Sequence, residues 1–186
     1  MRALIQSYLE SAREIINHLN VEEIEGLARA INEVREEKGT VFLVGNGGSA
    51  STASHFATDL GVGSINASKH VRVMSLTDNV AAMTAISNDK NYESVFSQQL
   101  QLLGKKKDLL VLISASGNSK NLIAALNSAE AIGMKSFSLT GFDGGELRRL
   151  TSNNNVHVPS KIGEYGLVED AHLSICHMIT ECIRAK

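Results

Sequence analysis

Residues 40–49 read TVFLVGNGGS and carry the strongest structural signal in the chain. The first six are β-rich and apolar without alternation, as expected for a strand that is buried on both faces. The glycine turn that follows leads directly into a predicted helix with the sequence ASTASHFATDL, residues 50–60. A strand, a tight turn and a helix in immediate succession are the repeating unit of proteins that cover a parallel sheet with helices.

The same alternation continues on both sides of this segment. Amphipathic helices are predicted over 2–19 and 21–37, and Asn20 can cap the second of them. Further strands are predicted at 71–76, 108–116, 135–141 and 156–160, and further helices at 79–86, 92–103, 119–132, 144–150 and 166–184. The sequence therefore predicts a doubly wound, five-stranded parallel α/β sheet flanked by helices. We expect one domain over 1–186, with N-terminal helices in 1–38 and an α/β core in 39–186.

Composition limits the classes of function. The 186 residues are 43% apolar and 20% charged, which is the balance of a globular domain. Lys and Arg number 18 and Asp and Glu number 20, so the net charge of −2 makes a nucleic-acid partner unlikely. Charges run through the N-terminal segment, which excludes a signal peptide or membrane span there, and we expect a cytoplasmic protein without a membrane partner.

Small polar residues follow three of the predicted strands. The three turns read GNGGS (45–49), SASGNS (114–119) and TGFDGG (140–145). Glycine lets the backbone approach a ligand, and the helix that follows presents free N–H groups to an anion. None of the turns matches the dinucleotide or NTP-binding glycine patterns. The first two favour a small phosphorylated ligand, whereas the third is equally compatible with an ordinary connection.

Titratable residues cluster on two predicted helices. His55 and Asp59 are four residues apart and therefore share one helix face. The last helix carries Glu169, His172 and His177, and Glu169 and His177 fall close to one face. Such groups can bind a divalent metal or transfer protons, and they also occur as plain surface pairs. Spacing alone leaves these alternatives open.

Several motifs together resemble the sedoheptulose-7-phosphate isomerases, or phosphoheptose isomerases, which are sugar isomerase (SIS) domain proteins. The first glycine turn with His55-Phe56-Ala57 carries the resemblance, and so does the serine turn 114–119. The resemblance continues in order through nearly the whole chain, in the motifs LTD (76–78), TAISND (84–89) and LTG (139–141).

The resemblance implies an aldose–ketose isomerase that converts sedoheptulose 7-phosphate to D-glycero-D-manno-heptose 7-phosphate, in bacterial heptose and surface polysaccharide (lipopolysaccharide or capsule) biosynthesis. It also implies a homotetramer with sites at subunit interfaces and one Zn²⁺ per subunit. The substrate-binding residues implied are Asn46, Gly47, Ser49, Asp78, Ser114, Ser116 and Ser119. The catalytic residues implied are Asp59, Glu169 and His177, and the metal ligands are His55, Asp59, Glu169 and His177.

The chain departs from the family pattern on the sugar-facing and catalytic side. Asp59 replaces a glutamate, which sets the carboxylate back by about 1.3–1.5 Å, a displacement large enough to affect proton transfer. Glu169 replaces a glutamine and adds a charge. Three further departures are Gly63 for an arginine, Ala115 for a threonine, and Gly166-Leu167 for an Asp-Arg or similar pair. The phosphate-binding serines are kept, so the changes bear on the sugar more than on the phosphate.

Isomerisation between an aldose and a ketose needs a base that moves a proton between C1 and C2, and an acid or metal that stabilises the oxyanion. Our hypothesis gives the base role to Asp59 or Glu169 and the acid role to His177. His55 is then a metal ligand or an orienting group.

A non-catalytic role is the alternative. Some SIS proteins are phosphosugar sensors, and one bacterial relative is an adaptor that binds the replication initiator protein. The stretches LTDNV (76–80) and GFDGGEL (141–147) resemble that adaptor. The presence of both His55 and His177 favours the enzyme, because an adaptor has no need of them.

Overall fold

The computed structural model describes residues 1–65 and 70–185. Residues 66–69 and Lys186, which the predicted 39–186 core includes, lie outside the described residues. Within them, one sheet contains five strands, which are β1 (Thr40–Gly45), β2 (Arg72–Ser75), β3 (Leu109–Ser114), β4 (Lys135–Phe142) and β5 (Asn155–Pro159). All neighbouring strands are parallel and their order is β2-β1-β3-β4-β5. The predicted five-stranded parallel sheet is confirmed.

Helices occupy most of the rest of the described chain. The α-helices are α1 (Arg2–Asn17), α2 (Val21–Glu36), α3 (Gly48–Gly63), α4 (Val80–Asp89), α5 (Val95–Leu103), α6 (Lys120–Ile132), α7 (Gly145–Thr151) and α8 (Tyr165–Arg184). Asn20 caps α2 as expected, because its side chain accepts a hydrogen bond of 3.2 Å from the backbone N–H of Glu23.

The helices cover both faces of the sheet. Buried residues of α2, α3 and α8 pack with one face of the strands, around Leu43, Phe56 and Ile175. Those of α5, α6 and α7 pack with the other face, around Phe96 and Leu126. Because β1 and β3 have a helical layer on each side, nearly all of their residues are buried.

The strand order brings two of the glycine turns together. The chain runs outward from β1 to β2 and then crosses back to β3 on the other side of β1. The carboxyl ends of β1 and β3 therefore flank the point where the direction of winding reverses. Ligands of doubly wound sheets bind in the crevice at this point. The first and second glycine turns begin at those two strand ends, Gly45 and Ser114.

Helix α1 lies outside the core. None of its residues is buried, and Leu4 is 77% exposed. It is attached to α8 partly through the Tyr8 hydroxyl, which donates a hydrogen bond of 2.6 Å to Asp170 Oδ2. That bond to a carboxylate raises the pKa of Tyr8 to about 12. The apolar face predicted for this helix is thus present and mostly uncovered in the single chain.

Two predicted elements differ from the structure at their ends. The helix predicted over 92–103 begins with a 3₁₀ turn, Tyr92–Ser94, because the Asn91 side chain accepts the Ser94 N–H and tightens the turn. The strand predicted over 108–116 is shorter at both ends. Asp108 instead accepts the N–H groups of Thr40 and Lys105, and Ser116 belongs to the turn that follows. The remaining boundaries agree within a few residues.

Among the described residues, no helix is both long enough and apolar enough to cross a membrane.

Candidate active site

The first glycine turn connects β1 to α3. Gly47 has a positive φ of 54° and open space where a Cβ would be, so the backbone conformation alone favours glycine there. Asn46 is half-buried at the tip of β1, and Ser49 is buried in the first turn of α3. Asn46 and the start of α3 therefore lie in the crevice where a ligand is expected.

The second glycine turn holds three serines around the start of α6. The Ser114 hydroxyl accepts the Gly117 N–H at 3.1 Å, and the Ser116 hydroxyl accepts the Asn118 N–H at 3.3 Å. Ser119 is the N-terminal cap residue of α6, and its side chain makes no capping hydrogen bond. Because each accepting hydroxyl keeps its own hydrogen, the turn can offer O–H donors to an anion beside a helix N-terminus.

The third glycine turn supports the second. The Leu147 N–H donates to the Gly117 carbonyl at 2.9 Å, and the Glu146 N–H donates to Asn118 Oδ1 at 3.0 Å. A Cβ on Gly117 would collide with the Gly144 carbonyl oxygen, so the two turns are in direct contact. The N–H groups of Glu146 and Leu147 are thus used by the serine turn, and that of Gly145 donates to Asp143 Oδ1 at 3.2 Å, which makes the third turn a brace and not a separate anion site.

Two histidines and one aspartate converge on a single point between α3 and α8. The Nε2 atoms of His55 and His177 are 3.0 Å apart. Asp59 Oδ2 lies 3.2 Å from the former and 3.7 Å from the latter. All three side chains are partly exposed. Asp59 is the most buried of them, with 25% of its side chain exposed. At most one proton fits between the two Nε2 atoms, so one nitrogen accepts unless a cation lies between them.

This donor set fits a zinc ion. The three ligand atoms lie within 4.8 Å of one another. In a tetrahedral site with bonds of about 2.0–2.2 Å, neighbouring ligand atoms are about 3.3–3.6 Å apart, close to the separations observed here. Three protein ligands and one free position are the arrangement of catalytic zinc sites.

Glu169 does not join this group within one chain. Its carboxylate lies against the start of α3, where a Cβ on Gly48 would collide with it. His177 is eight residues further along α8, which corresponds to about 12 Å of helix. Within one chain the structure therefore brings together three of the four predicted ligands, because α3 and α8 run alongside each other in the same direction. That alignment pairs Glu169 with Gly48 and pairs His177 with His55.

An arginine occupies the space beside Gly63, the position where the family pattern has an arginine. A Cβ on Gly63 would lie 2.5 Å from Nη2 and 2.7 Å from Nε of Arg184. Arg184 also donates a hydrogen bond of 3.0 Å to Glu181. The guanidinium group at this point of the structure is therefore supplied by α8, whereas the family pattern carries an arginine on α3.

Asp78 lies beside α3, where it contacts Ser54, the residue that precedes His55. The Ser54 hydroxyl donates a short hydrogen bond to Asp78 Oδ1 and also lies 3.1 Å from Thr77 Oγ1. Thr77 Oγ1 is in turn 2.5 Å from Ser75 Oγ. A chain of hydroxyl groups therefore holds the carboxylate of Asp78 against α3.

The other histidine on α8, His172, does not belong to the site. It is fully buried, and burial lowers its pKa to about 4. His172 is therefore a neutral core residue at neutral pH, which excludes it from the surface cluster formed by His55 and His177.

Comparison with known proteins gives a consistent result. A family model described as SIS domain matches residues 7–141. The phosphoheptose isomerase of Helicobacter pylori (strain HPAG1) is 42% identical over 151 residues, which cover 81% of this chain and 77% of that protein. The phosphoheptose isomerase of Vibrio parahaemolyticus serotype O3:K6 is 34% identical over 185 residues, covering 97% and 95%. A solved structure of the phosphoheptose isomerase from Neisseria gonorrhoeae superimposes with a TM-score of 0.88 at 30% identity, covering 100% of this chain and 97% of that one.

Proposed function

The chain belongs to the SIS domain family and, within it, to the phosphoheptose isomerases, and we propose that it converts sedoheptulose 7-phosphate to D-glycero-D-manno-heptose 7-phosphate. One observation carries the catalytic part of this proposal. His55, Asp59 and His177 converge on one point from two helices, of which α3 begins at the first glycine turn. A group of acids and bases at this place suits proton transfer on a bound sugar.

The phosphate end of the substrate is assigned to the second glycine turn. Ser114, Ser116 and Ser119 supply hydroxyl donors, and the N-terminus of α6 favours negative charge. Asn46, Gly47, Ser49 and Asp78 line the sugar portion in this proposal. The brace from the third turn keeps the phosphate turn in one conformation before the ligand arrives, which lowers the entropic cost of binding.

The proton transfers are assigned to the helix-borne groups. A base removes a proton from C1 of the ketose and an acid delivers one to C2 through an enediol, while a further proton moves from O1 to O2. Asp59 and Glu169 are the two carboxylates available as base, and His177 is the acid. Asp59 Oδ2 lies near both histidine Nε2 atoms and can orient them, whereas Glu169 stands apart at the start of α3.

Zinc is part of the proposal, with His55, Asp59 and His177 as the ligands from one chain. A Zn²⁺ held by these residues would supply Lewis-acid polarisation of the sugar carbonyl. Glu169 can complete such a site only from a second subunit, since its own carboxylate is directed to Gly48. With zinc bound, Asp59 and His177 Nε2 are ligands and do not transfer protons, and Glu169, where it does not fill the fourth position, is the carboxylate left as the base.

We further propose a single SIS domain that assembles as a homotetramer with sites at subunit interfaces, in the cytoplasm, in a route to lipopolysaccharide or capsule heptose. The exposed apolar residues of α1 support self-association, because contiguous apolar surface usually marks a partner.

The deciding experiment is an assay of sedoheptulose 7-phosphate turnover by the purified full chain, without added metal, with zinc and with a chelator. We expect the protein to form the aldoheptose 7-phosphate. This activity should be lost when the metal is chelated and restored when zinc is added. Binding of the sugar phosphate without turnover under all three conditions would instead identify a phosphosugar sensor. Absence of both turnover and binding would favour the adaptor.

A further inference from the structure

Three side chains form a closed polar network above the crevice. Asn46 Nδ2 donates to Asn121 Oδ1 at 2.9 Å, and Asn121 Nδ2 donates back to Asn46 Oδ1 at 2.9 Å. The Tyr92 hydroxyl donates to the same Asn46 Oδ1 at 2.7 Å. Each bond has good hydrogen-bond length, so the amide plane of Asn46 is fixed from two directions.

The network joins three separate parts of the chain. Asn46 directly follows the first strand, Asn121 is the second residue of α6 directly after the serine turn, and Tyr92 begins the 3₁₀ turn before α5. Asn121 is 3% exposed, so its amide is held by its surroundings as well as by its partner. The 3₁₀ turn is itself tied to α6 by the ion pair of Glu93 with Lys120 at 3.3 Å.

Counting hydrogen-bond capacity shows what Asn46 can still offer. Its Oδ1 has two lone pairs and accepts two hydrogen bonds, one from Tyr92 and one from Asn121. Its Nδ2 has two hydrogens and uses one. The side chain therefore keeps one N–H donor and no acceptor for a ligand.

We propose that Tyr92 and Asn121 are positioning residues that make Asn46 a donor-only contact to an oxygen of the sugar. This rests on the proposed function, in which Asn46 lines the sugar portion of the site. The substrate group that meets Asn46 is then an acceptor, namely the carbonyl oxygen or the oxyanion that develops from it during enediol formation. A fixed donor of this kind stabilises developing charge without reorganising during the reaction.

The test uses two variants and one matched control. Tyr92→Phe removes the hydroxyl and keeps the ring. Asn121→Asp is isosteric and replaces the N–H that faces Asn46 Oδ1 by an oxygen. Tyr165→Phe is the control, because Tyr165 is 53% exposed like Tyr92 and its described contact is the ring packing on Phe142.

We expect Tyr92→Phe to lower kcat about 3- to 10-fold, the value of one neutral hydrogen bond. Asn121→Asp should lower kcat further, about 10- to 100-fold, because it places two acceptors against each other. Affinity for inorganic phosphate and the melting temperature of Tyr92→Phe should stay at the wild-type values, and Tyr165→Phe should match the wild type throughout. A merely structural role would shift the phosphate affinity and melting temperature together with kcat.

A second readout keeps this inference separate from the proposed reaction. Calorimetry gives the ratio of the dissociation constants for inorganic phosphate and for sedoheptulose 7-phosphate, which measures what the sugar adds to binding. Tyr92→Phe should reduce that ratio. If the wild type binds the sugar phosphate without turning it over, the reaction is wrong and the ratio still tests the positioning. An unchanged kcat and an unchanged ratio in Tyr92→Phe would overturn the inference.

Discussion

His55 Nε2 and His177 Nε2 lie 3.0 Å apart although 122 residues separate them in the chain. Neither nitrogen has a carbonyl or hydroxyl as its nearest described partner, and both face the carboxylate of Asp59. Two ring nitrogens and a carboxylate oxygen at these distances can share one cation. The pair is therefore the feature on which catalysis is most directly tested.

Replacing His177 with alanine should abolish turnover, because the variant lacks both the proposed acid and a proposed zinc ligand. Bound zinc, measured by elemental analysis, should fall at the same time. His70→Ala is the control, since His70 is exposed and precedes β2 at the opposite end of the sheet. Full turnover by His177→Ala would remove this residue from the mechanism.

Replacing Ser116 with alanine should weaken phosphosugar binding about 10- to 100-fold. A charge-assisted hydrogen bond contributes roughly 1.5–3 kcal/mol, and the substitution removes one such donor. Calorimetric dissociation constants measure the effect. Ser97→Ala is a matched control, because Ser97 lies on α5 and its hydroxyl donates to the Ser94 carbonyl of the 3₁₀ turn. Unchanged affinity in a folded Ser116→Ala variant would mean that the phosphate binds elsewhere.

Replacing Gly117 with alanine should both destabilise the chain and weaken phosphate binding. Gly117 has a φ of 66°, and a Cβ there would collide with the Gly144 carbonyl of the bracing turn. Gly163→Ala is the control, because Gly163 also has a positive φ, 96°, but open space around a Cβ. The strain of a positive φ costs each variant about 1 kcal/mol, so a larger loss in Gly117→Ala measures the contact between turns. Equal losses in the two variants would argue against the brace.

Stability should fall when the pH is lowered from about 6.5 toward 4. Burial lowers the pKa of His172 and of His157 to about 4, from an ordinary value of 6.5, and Arg148 adds to the effect on His157. The folded state therefore binds fewer protons than the unfolded state in this window, so the contribution is complete above pH 6.5 and is lost on acidification. Each histidine contributes at most about 3 kcal/mol to the pH dependence of the free energy of unfolding.

Urea unfolding at constant protein concentration, repeated between pH 4 and 7, measures this dependence. His157→Gln should flatten the curve, by up to roughly 1.4 kcal/mol per pH unit in that window, because one titrating group is removed. Curves that stay parallel for the variant and the wild type would contradict the prediction.

The assembled protein should have four times the chain mass of 20.0 kDa by light scattering at micromolar concentration. Leu4→Glu places a charge on the exposed apolar face of α1 and should reduce that mass. Leu102→Glu is the control on α5, where the side chain is 84% exposed. A wild-type mass of one chain would refute the tetramer.

The sheet and the turns could be predicted from local patterns. Continuous apolar runs at 40–45 and 109–113 predict strands covered on both faces, and Asn20 and Gly133 mark helix ends through their capping chemistry. The first turn of α5 was harder to predict, because the side chain of Asn91 tightens it into a 3₁₀ turn. Such a local competition between side chain and backbone leaves no periodic signal.

The candidate site could be predicted only in part. Helical spacing correctly places His55 beside Asp59, but it carries no information about how α3 lies against α8. The separation of Glu169 from the other three within one chain has that origin, since eight residues preserve the helix face and still move a side chain by about 12 Å along the axis. Tyr92 and Asn121 were missed because hydrogen bonds between distant segments depend on tertiary structure.

The two close approaches along the α3–α8 pair, at Gly48 and at Gly63, have a consequence for sequence variation among relatives. Glu169 leaves no room for a side chain at position 48, and Arg184 leaves none at position 63 while it keeps its present orientation. A side chain at position 48 or 63 therefore requires Glu169 or Arg184 to change conformation. Relatives with arginine at position 63 should carry a shorter or acidic residue at position 184, so that the two positions covary across an alignment although 120 residues lie between them.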